Sequence, residues 1–115
     1  MNLTSTQTDR AAGVLVGQAI GDALGVPYEF SSARLDAQTG PQMVGGGLGN
    51  YAPGEWSDDT QMAVCIARVS ATGADLTDDA ALDQIAEGFV GWYLDGPADI
   101  GNQTRSVLAS TSHGG

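Results

Sequence analysis

The chain of 115 residues is long enough for one small domain, and its 42% content of hydrophobic residues is typical of a chain that folds around a core. Fourteen acidic residues against four basic ones give a formal net charge of -10, which excludes nucleic-acid binding through a basic surface. A single cysteine and a single histidine exclude a disulfide framework and a zinc site built from Cys and His ligands.

The N-terminal segment, residues 1–8, is polar and lacks the basic-then-apolar order of a secretory signal peptide. Nowhere does an apolar run approach the roughly 20 residues that a membrane-spanning helix needs. We therefore expect a cytoplasmic protein whose partners include neither a membrane nor a nucleic acid.

Residues 9–25 carry the first strong helical pattern. Apolar side chains recur there at steps of three and four residues: Ala12, Leu15, Val16, Ala19, Ile20, Ala23 and Leu24. Beside this stripe runs a glycine ridge: Gly13, Gly17, Gly21 and Gly25. Because each internal glycine costs about 1 kcal/mol of helix propensity relative to alanine, the ridge predicts that another backbone packs very close. The first helix is therefore expected to be central and buried on most sides.

A long irregular connection is predicted over residues 31–54, after Pro27 has ended the first helix. A connection of this length is uncommon in a compact domain and often lines a functional site. The glycines within 45–49 do not form a phosphate-binding loop, since no Lys-Ser or Lys-Thr pair follows them and no strand precedes them.

The start of the second helix, predicted over 58–71, is the most informative point in the chain. Ser57, Asp58 and Asp59 place a hydroxyl and two adjacent carboxylates at a helix N-terminus, where a hard divalent cation such as Mg²⁺ finds oxygen ligands. The alternative is that Ser57 only caps the helix while the two aspartates favour its dipole. For these three residues taken alone, a helix cap is more common than a metal site. The other motifs of the chain favour the metal site.

The third helix is predicted to open with Thr77 as its N-cap, and the adjacent Asp78 and Asp79 are assigned only to the helix dipole. Five side chains form its predicted buried face: Leu82, Ile85, Ala86, Phe89 and Tyr93.

A fourth helix is predicted to begin near Asp99 or Ile100, with Val107 and Leu108 on its inner face, and to fade out from Ser110. No segment alternates apolar and polar residues over a useful length. The predicted fold class is therefore all-α, with about four helices and a long glycine-rich loop.

Taken in order, four segments resemble the ADP-ribosylglycohydrolase family, and together they span nearly the whole chain. The segments are 9–25, which ends in Gly-Asp-Ala-Leu-Gly, 28–29 (Tyr-Glu), 57–62 (Ser-Asp-Asp-Thr-Gln-Met) and 99–105 (Asp-Ile-Gly-Asn-Gln-Thr-Arg). Each is modest by itself, but four in the right order at plausible spacings make a specific signal.

The resemblance implies an all-α fold built around two Mg²⁺ or Mn²⁺ ions. It implies that Ser57, Asp58 and Asp59 are metal ligands, with serine standing where the family usually has threonine and keeping the hydroxyl oxygen. The implied activity is the hydrolysis of an N- or O-glycosidic bond that releases ADP-ribose from modified protein side chains or from small ADP-ribosyl compounds. The acceptor and the choice between the two metals stay open.

The resemblance also implies roles for three further residues. Glu29 matches a glutamate near the metals that contacts water or the ribose, so it is expected to position water or act in acid/base catalysis. Asp99 and Asn102 match residues of the substrate cleft, with Asp99 counted among the catalytic candidates. Their spacing of three residues fits either one helix face or a cap and the first turn behind it.

Parts of the family pattern are missing from these residues, above all a second acidic metal cluster. We therefore expect residues 1–115 to be the N-terminal portion of a single domain that a C-terminal segment of the same protein completes, and to be inactive alone. The alternative is a non-enzymatic member of the same fold, crystallin-like or binding ADP-ribose. A third possibility is an unrelated acidic helical interaction module.

Overall fold

The computed structural model describes residues 3–30 and 35–114, with side chains up to residue 111. Within this part of the chain the all-α prediction is confirmed, since four α-helices form and no strand does: α1 (Ser5–Gly25), α2 (Asp58–Ser70), α3 (Asp79–Leu94) and α4 (Asn102–Gly114). A short 3₁₀ turn, Val26–Tyr28, follows α1 directly. None of the helices described is long and apolar enough to cross a bilayer.

The chain divides into two compact units, Met1–Thr60 and Gln61–Gly115, and the boundary falls inside α2. The first unit holds α1, the 3₁₀ turn, the long connection and the first residues of α2. The second holds the rest of α2 together with α3 and α4. The assignment of residues 1–115 to a single domain stays a prediction.

Helix α1 begins at Ser5, four residues before the predicted start at residue 9. The reason is a capping box that the apolar pattern does not reveal. The Gln7 backbone N–H donates to Thr4 Oγ1 at 3.1 Å, and the Thr4 N–H donates to Gln7 Oε1 at 3.0 Å. Two N–H groups that the helix leaves without intrahelical partners are thereby satisfied, so the helix extends to Ser5.

The prediction that α1 is buried on most sides is wrong for the described residues. Val14 is 73% exposed and Val16 is 57% exposed, and Ala23 is the one buried residue of this helix. A Cβ atom placed on any glycine of the ridge (Gly13, Gly17, Gly21 and Gly25) would meet no described atom within 4 Å. The close backbone neighbour that the ridge predicts is therefore not among these residues.

The long connection is irregular as predicted over its described residues, while residues 31–34 lie outside them. Gly46 and Tyr51 form an isolated antiparallel bridge, with backbone N–H···O distances of 2.7 and 2.8 Å in the two directions. Gly47 and Asn50 both adopt positive φ between these partners, which lets the chain reverse direction there. The Tyr51 side chain is buried, so this end of the bridge is packed into the first unit.

Helix α2 matches its prediction closely, ending at Ser70 and followed by Gly73 in the left-handed region at φ 84°. Helix α3 begins one residue later than predicted, because Asp78 and not Thr77 precedes its first turn. The Asp75 carboxylate accepts hydrogen bonds from the Thr77 N–H at 2.9 Å and from its hydroxyl at 2.7 Å. These bonds hold Thr77 in a turn ahead of the helix.

The second unit is built on packing between α3 and α4, with α2 against α3. Buried apolar side chains come from each element and from the α3–α4 loop: Val69, Ala81, Ile100 and Leu108. Ile85, Phe89 and Tyr93 are half-buried on the predicted face of α3, but Leu82 and Ala86 are exposed, so the buried face is rotated toward Ala81.

Helix α4 begins at Asn102, two to three residues later than predicted, and runs on to Gly114 without fading out from Ser110. Its inner face is confirmed at Leu108, whereas Val107 is 56% exposed. The two are adjacent in sequence and therefore about 100° apart around the helix, so only one of them can face the core.

Candidate functional site

The Ser57-Asp58-Asp59 group lies where the sequence predicts, at the start of α2. Ser57 directly precedes the helix and is 3% exposed, Asp58 is half-buried in the first turn, and Asp59 is exposed. The Asp59 N–H makes a long contact to Ser57 Oγ, at 3.4 Å. This is the bond that the capping alternative predicts, and the short bond of the Ser57 hydroxyl goes to another partner.

That short bond goes to Asp22 of α1, which sequence reasoning did not include among the site residues. Asp22 Oδ1 accepts the Ser57 hydroxyl at 2.6 Å. Asp22 Oδ2 accepts three further hydrogen bonds: from the Ser57 N–H at 2.8 Å, the Thr60 hydroxyl at 2.7 Å and the Thr60 N–H at 3.3 Å. We call Asp22, Ser57 and Thr60 the Asp22 cluster.

The carboxylate of Asp22 caps α2 from a different helix. Ser57 and Thr60 both offer a backbone N–H that α2 leaves unsatisfied at its N-terminus, and a negative charge at that end is favoured by the helix dipole. Thr60 is 1% exposed, so its polar atoms depend on this partner instead of water. One side chain of α1 thus fixes where α2 begins.

The hydrogen bonds determine the charge state of Asp22. Partial burial acts to raise the pKa of this carboxyl, but the hydroxyls and backbone N–H groups of Ser57 and Thr60 together outweigh it and hold the pKa below the ordinary aspartate value. Asp22 is therefore ionised at neutral pH and acts only as an acceptor.

A second side chain of α1 contacts the same turn. Gln18 lies one helical turn before Asp22, and its Nε2 donates to the Asp59 backbone carbonyl at 3.3 Å. Gln18 and Asp22 share one face of α1 because they are four residues apart. The position of the two aspartates is thus set by contacts on either side of them, through Ser57, Thr60 and the Asp59 carbonyl.

The donor atoms at this point suit a hard divalent cation. Ser57 supplies a neutral hydroxyl oxygen that donates its hydrogen bond to Asp22. Asp58 and Asp59 supply carboxylates, and hydroxyl and carboxylate oxygens are the ligand types that Mg²⁺ and Mn²⁺ prefer. In the described part of the chain no three His, Cys, Asp or Glu side chains come together as a metal-binding group. The described residues thus offer a partial donor set of one hydroxyl and two carboxylates.

Glu29 belongs to the first unit and directly follows the 3₁₀ turn in extended conformation. Its side chain is exposed. The hydroxyl of the neighbouring Tyr28 accepts the Gln42 N–H at 3.1 Å, which ties the long connection to this turn. The role predicted for Glu29 stays a prediction.

Asp99 and Asn102 belong to the second unit, at the entry to α4. Asp99 is half-buried, and its Oδ1 accepts the N–H of the neighbouring Ile100 at 3.0 Å. Asn102 is the exposed first residue of α4. Asp99 therefore lies outside α4, three residues ahead of Asn102, and the N–H that it accepts belongs to the loop and not to the helix, so it neither shares a helix face with Asn102 nor caps the first turn.

One feature of the sequence indicates that Asp22 needs hydrogen-bond partners, although the apolar pattern alone does not show it. Residues 19–25 contain only small or apolar side chains apart from Asp22. A carboxylate among such neighbours, half-buried in the structure, requires hydrogen-bond donors. The partners themselves could not be identified from the sequence, because Ser57 lies 35 residues away beyond an irregular connection.

Comparison with known proteins gives a consistent result. The family model described as ADP-ribosylglycohydrolase matches residues 3–115. The chain is 42% identical over 113 residues to the ADP-ribosylarginine hydrolase Tri1 of Serratia proteamaculans (strain 568), covering 90% of this chain and 29% of that protein. It is 37% identical over 110 residues to the ADP-ribosyl-(dinitrogen reductase) glycohydrolase of Rhodospirillum rubrum, covering 93% of this chain and 36% of that protein. The chain thus spans about a third of the length of these relatives.

Proposed function

The chain belongs to the ADP-ribosylglycohydrolase family, and on that premise we propose that it forms the part of a metal-dependent hydrolase that contributes the first group of metal ligands. The reaction is the hydrolysis of the glycosidic bond between the ribose of ADP-ribose and an acceptor. Relatives named for ADP-ribosylarginine and for ADP-ribosylated dinitrogen reductase support a modified protein side chain as the acceptor.

One observation carries the metal assignment. The Ser57 hydroxyl donates its proton to Asp22 at 2.6 Å, directly beside two adjacent carboxylates. A serine that served only as an N-cap would direct its oxygen at the helix N–H groups, but the contact from the Asp59 N–H is 3.4 Å long. The orientation leaves this oxygen as an acceptor next to Asp58 and Asp59, which repel each other unless a cation neutralises them.

Ser57, Asp58 and Asp59 would hold a divalent cation, Mg²⁺ or Mn²⁺, with further ligands from outside the described residues. When bound, a pair of such ions supplies Lewis acidity that polarises water and holds ribose hydroxyls. We assign to Glu29 the positioning of water or an acid/base role, since its carboxylate is exposed in the same unit as the three ligands. Asp99 and Asn102 are proposed to bind the ribose or the acceptor.

The assignment is tested by measuring Mg²⁺ affinity and ADP-ribosylarginine hydrolysis in the complete gene product. Asp58→Ala and Asp59→Ala are expected to lower Mg²⁺ affinity at least tenfold and to abolish hydrolysis, because a hard cation loses a charged oxygen ligand. Unchanged Mg²⁺ affinity in both variants would remove the metal site from this position.

The chain contains its own matched control. Asp78 and Asp79 are a second aspartate pair at a helix N-terminus, at the start of α3. The hydroxyl before them, on Thr77, donates to Asp75 within the same exposed turn, whereas the buried Ser57 donates to a carboxylate of another helix. Asp78→Ala and Asp79→Ala remove the same charge from the start of another helix and are expected to leave Mg²⁺ affinity and hydrolysis unchanged. Equal effects at both pairs would point to net charge as the cause.

A further inference from the structure

We propose that Asp22 is a positioning residue for the metal site, acting through Ser57. By accepting the Ser57 hydroxyl proton, it leaves a lone pair of Ser57 Oγ for a cation held by Asp58 and Asp59. The inference rests on the proposed function, because it requires a metal ion at this position.

Most of the acceptor capacity of Asp22 is used by hydrogen bonds from Ser57 and Thr60. Its Oδ2 already accepts three donors and its Oδ1 accepts the 2.6 Å bond from Ser57. A carboxylate offers about four lone-pair sites in total. Oδ2 is fully occupied and Oδ1 keeps one lone pair, so we assign to the carboxylate an action on the cation through the groups that donate to it.

Ser57 is the group through which it acts. A neutral hydroxyl has one proton and two lone pairs. The proton lies on the short bond to Asp22 Oδ1, in the range of a charge-assisted O–H···O⁻ bond, and one lone pair takes the long 3.4 Å contact from the Asp59 N–H. Without the carboxylate, the hydroxyl proton could rotate toward the cation, which would turn an attractive ligand into a repulsive one.

The carboxylate also makes Ser57 a better ligand. A negatively charged acceptor draws the hydroxyl proton away from the oxygen and increases electron density on it, as outer carboxylates do for metal-binding imidazoles. Ser57 is 3% exposed, so water does not replace Asp22 as the acceptor. Loss of such an outer partner typically weakens metal affinity about 10- to 100-fold.

Asp22→Asn tests this role with little change of shape. The amide has one acceptor oxygen and one NH₂ donor. Since three donors converge on the Oδ2 position, the amide oxygen is expected there, where it keeps the bonds from the Ser57 N–H and from both Thr60 groups. The NH₂ group then faces Ser57 Oγ and takes a lone pair from it. The substitution thus reverses the single hydrogen bond on which the proposal depends.

The experiment is a double-mutant cycle in the complete gene product, with Mn²⁺ affinity measured by isothermal titration. Asp22→Asn and Ser57→Ala are each expected to weaken Mn²⁺ binding about 10- to 100-fold. If Asp22 acts through Ser57, the double variant is expected to match Ser57→Ala within about twofold. Asp75→Asn alters the carboxylate that accepts the Thr77 hydroxyl in the turn before α3, away from the candidate site, and is expected to leave Mn²⁺ affinity within about twofold of wild type.

The outcomes separate this proposal from the proposed function. Additive losses in the cycle, or an Asp22→Asn affinity equal to wild type, overturn the role of Asp22 while Asp58→Ala still reports a metal site. Wild-type affinity in Asp58→Ala overturns the metal site and this role with it. Wild-type affinity in Ser57→Ala overturns the role of Asp22 even if Asp22→Asn does not fold.

Discussion

Thr60 links the Asp22 cluster to the stability of the fold. Its side chain is 1% exposed and its hydroxyl donates to Asp22 Oδ2 at 2.7 Å. Thr60→Val keeps the shape and removes this bond, so the free energy of unfolding of the chain is expected to fall by about 1.5 kcal/mol. This is the low end of the range for a hydrogen bond to a charged group, because Asp22 itself is only half-buried. Urea denaturation followed by circular dichroism measures the change.

The control at this position is Thr60→Ser, which keeps the hydroxyl and removes one methyl group. It is expected to lower the free energy of unfolding by about 0.8 kcal/mol, the contribution of one buried methylene-sized group. A loss with Ser as large as the loss with Val would mean that packing of the methyl group, and not the bond to Asp22, is what Thr60 contributes.

Asp75 provides a pH test away from the candidate site. Hydrogen bonds from the Thr77 hydroxyl and the Thr77 N–H lower the pKa of this fully exposed carboxyl. The stabilisation of the turn is therefore present above the ordinary aspartate pKa and is lost as the pH falls through the lowered one. In an NMR titration of the side-chain carboxyl carbons, the midpoint of Asp75 is expected to lie below the ordinary aspartate pKa. Thr77→Ala should move the midpoint of Asp75 upward, and an unchanged midpoint would contradict the bond.

At the level of elements, Gly17 and Gly45 are expected to respond in opposite ways to substitution by alanine. A Cβ on Gly17 in α1 would meet no described atom within 4 Å, so Gly17→Ala is expected to stabilise the chain by up to about 1 kcal/mol through helix propensity. Gly45 has φ +74°, and a Cβ there would lie 2.5 Å from the Tyr51 carbonyl oxygen. Gly45→Ala is therefore expected to destabilise the chain by more than about 1 kcal/mol.

Thermal melts of the two variants of the 115-residue chain, followed by circular dichroism, measure these opposite shifts. Destabilisation by Gly17→Ala would show that a backbone does lie against the glycine ridge. That result would restore the expectation of a buried α1, which the described residues contradict.

The helices could be predicted because their apolar periodicity is a local property of the sequence. The residues at which they begin could not be predicted in the same way. The pattern of Met62, Cys65 and Val69 predicts α2 almost to the residue. The starts of α1 and α3 depend instead on single side chains that bond to nearby backbone, Gln7 in one case and Asp75 in the other. Such bonds extend a helix, as the capping box does for α1, or delay its start by one residue, as at α3, and apolar periodicity carries no information about either.

At the scale of the whole molecule, the candidate metal ligands could be predicted from the sequence, but the hydrogen bonds that hold them in place could not. Ser57, Asp58 and Asp59 are adjacent, so any structure that starts a helix there groups them. Asp22 joins them only through tertiary structure, across 35 residues that include the irregular connection. The sequence indicates that a carboxylate among the small residues of α1 needs hydrogen-bond donors. That Ser57 and Thr60 are these donors is determined by the tertiary structure.

The net charge of -10 makes these 115 residues sensitive to cations in two different ways. Any salt screens the repulsion among its acids, whereas a specific site stabilises by binding only the folded state. The complete gene product is expected to gain about 2.7 kcal/mol when Mg²⁺ is present at 100 times its Kd, beyond what NaCl gives at the same ionic strength. Thermal unfolding in the two salts measures the difference. Asp58→Ala is expected to abolish it and Asp79→Ala to preserve it, and an equal response to both salts in the wild type would leave screening as the entire effect.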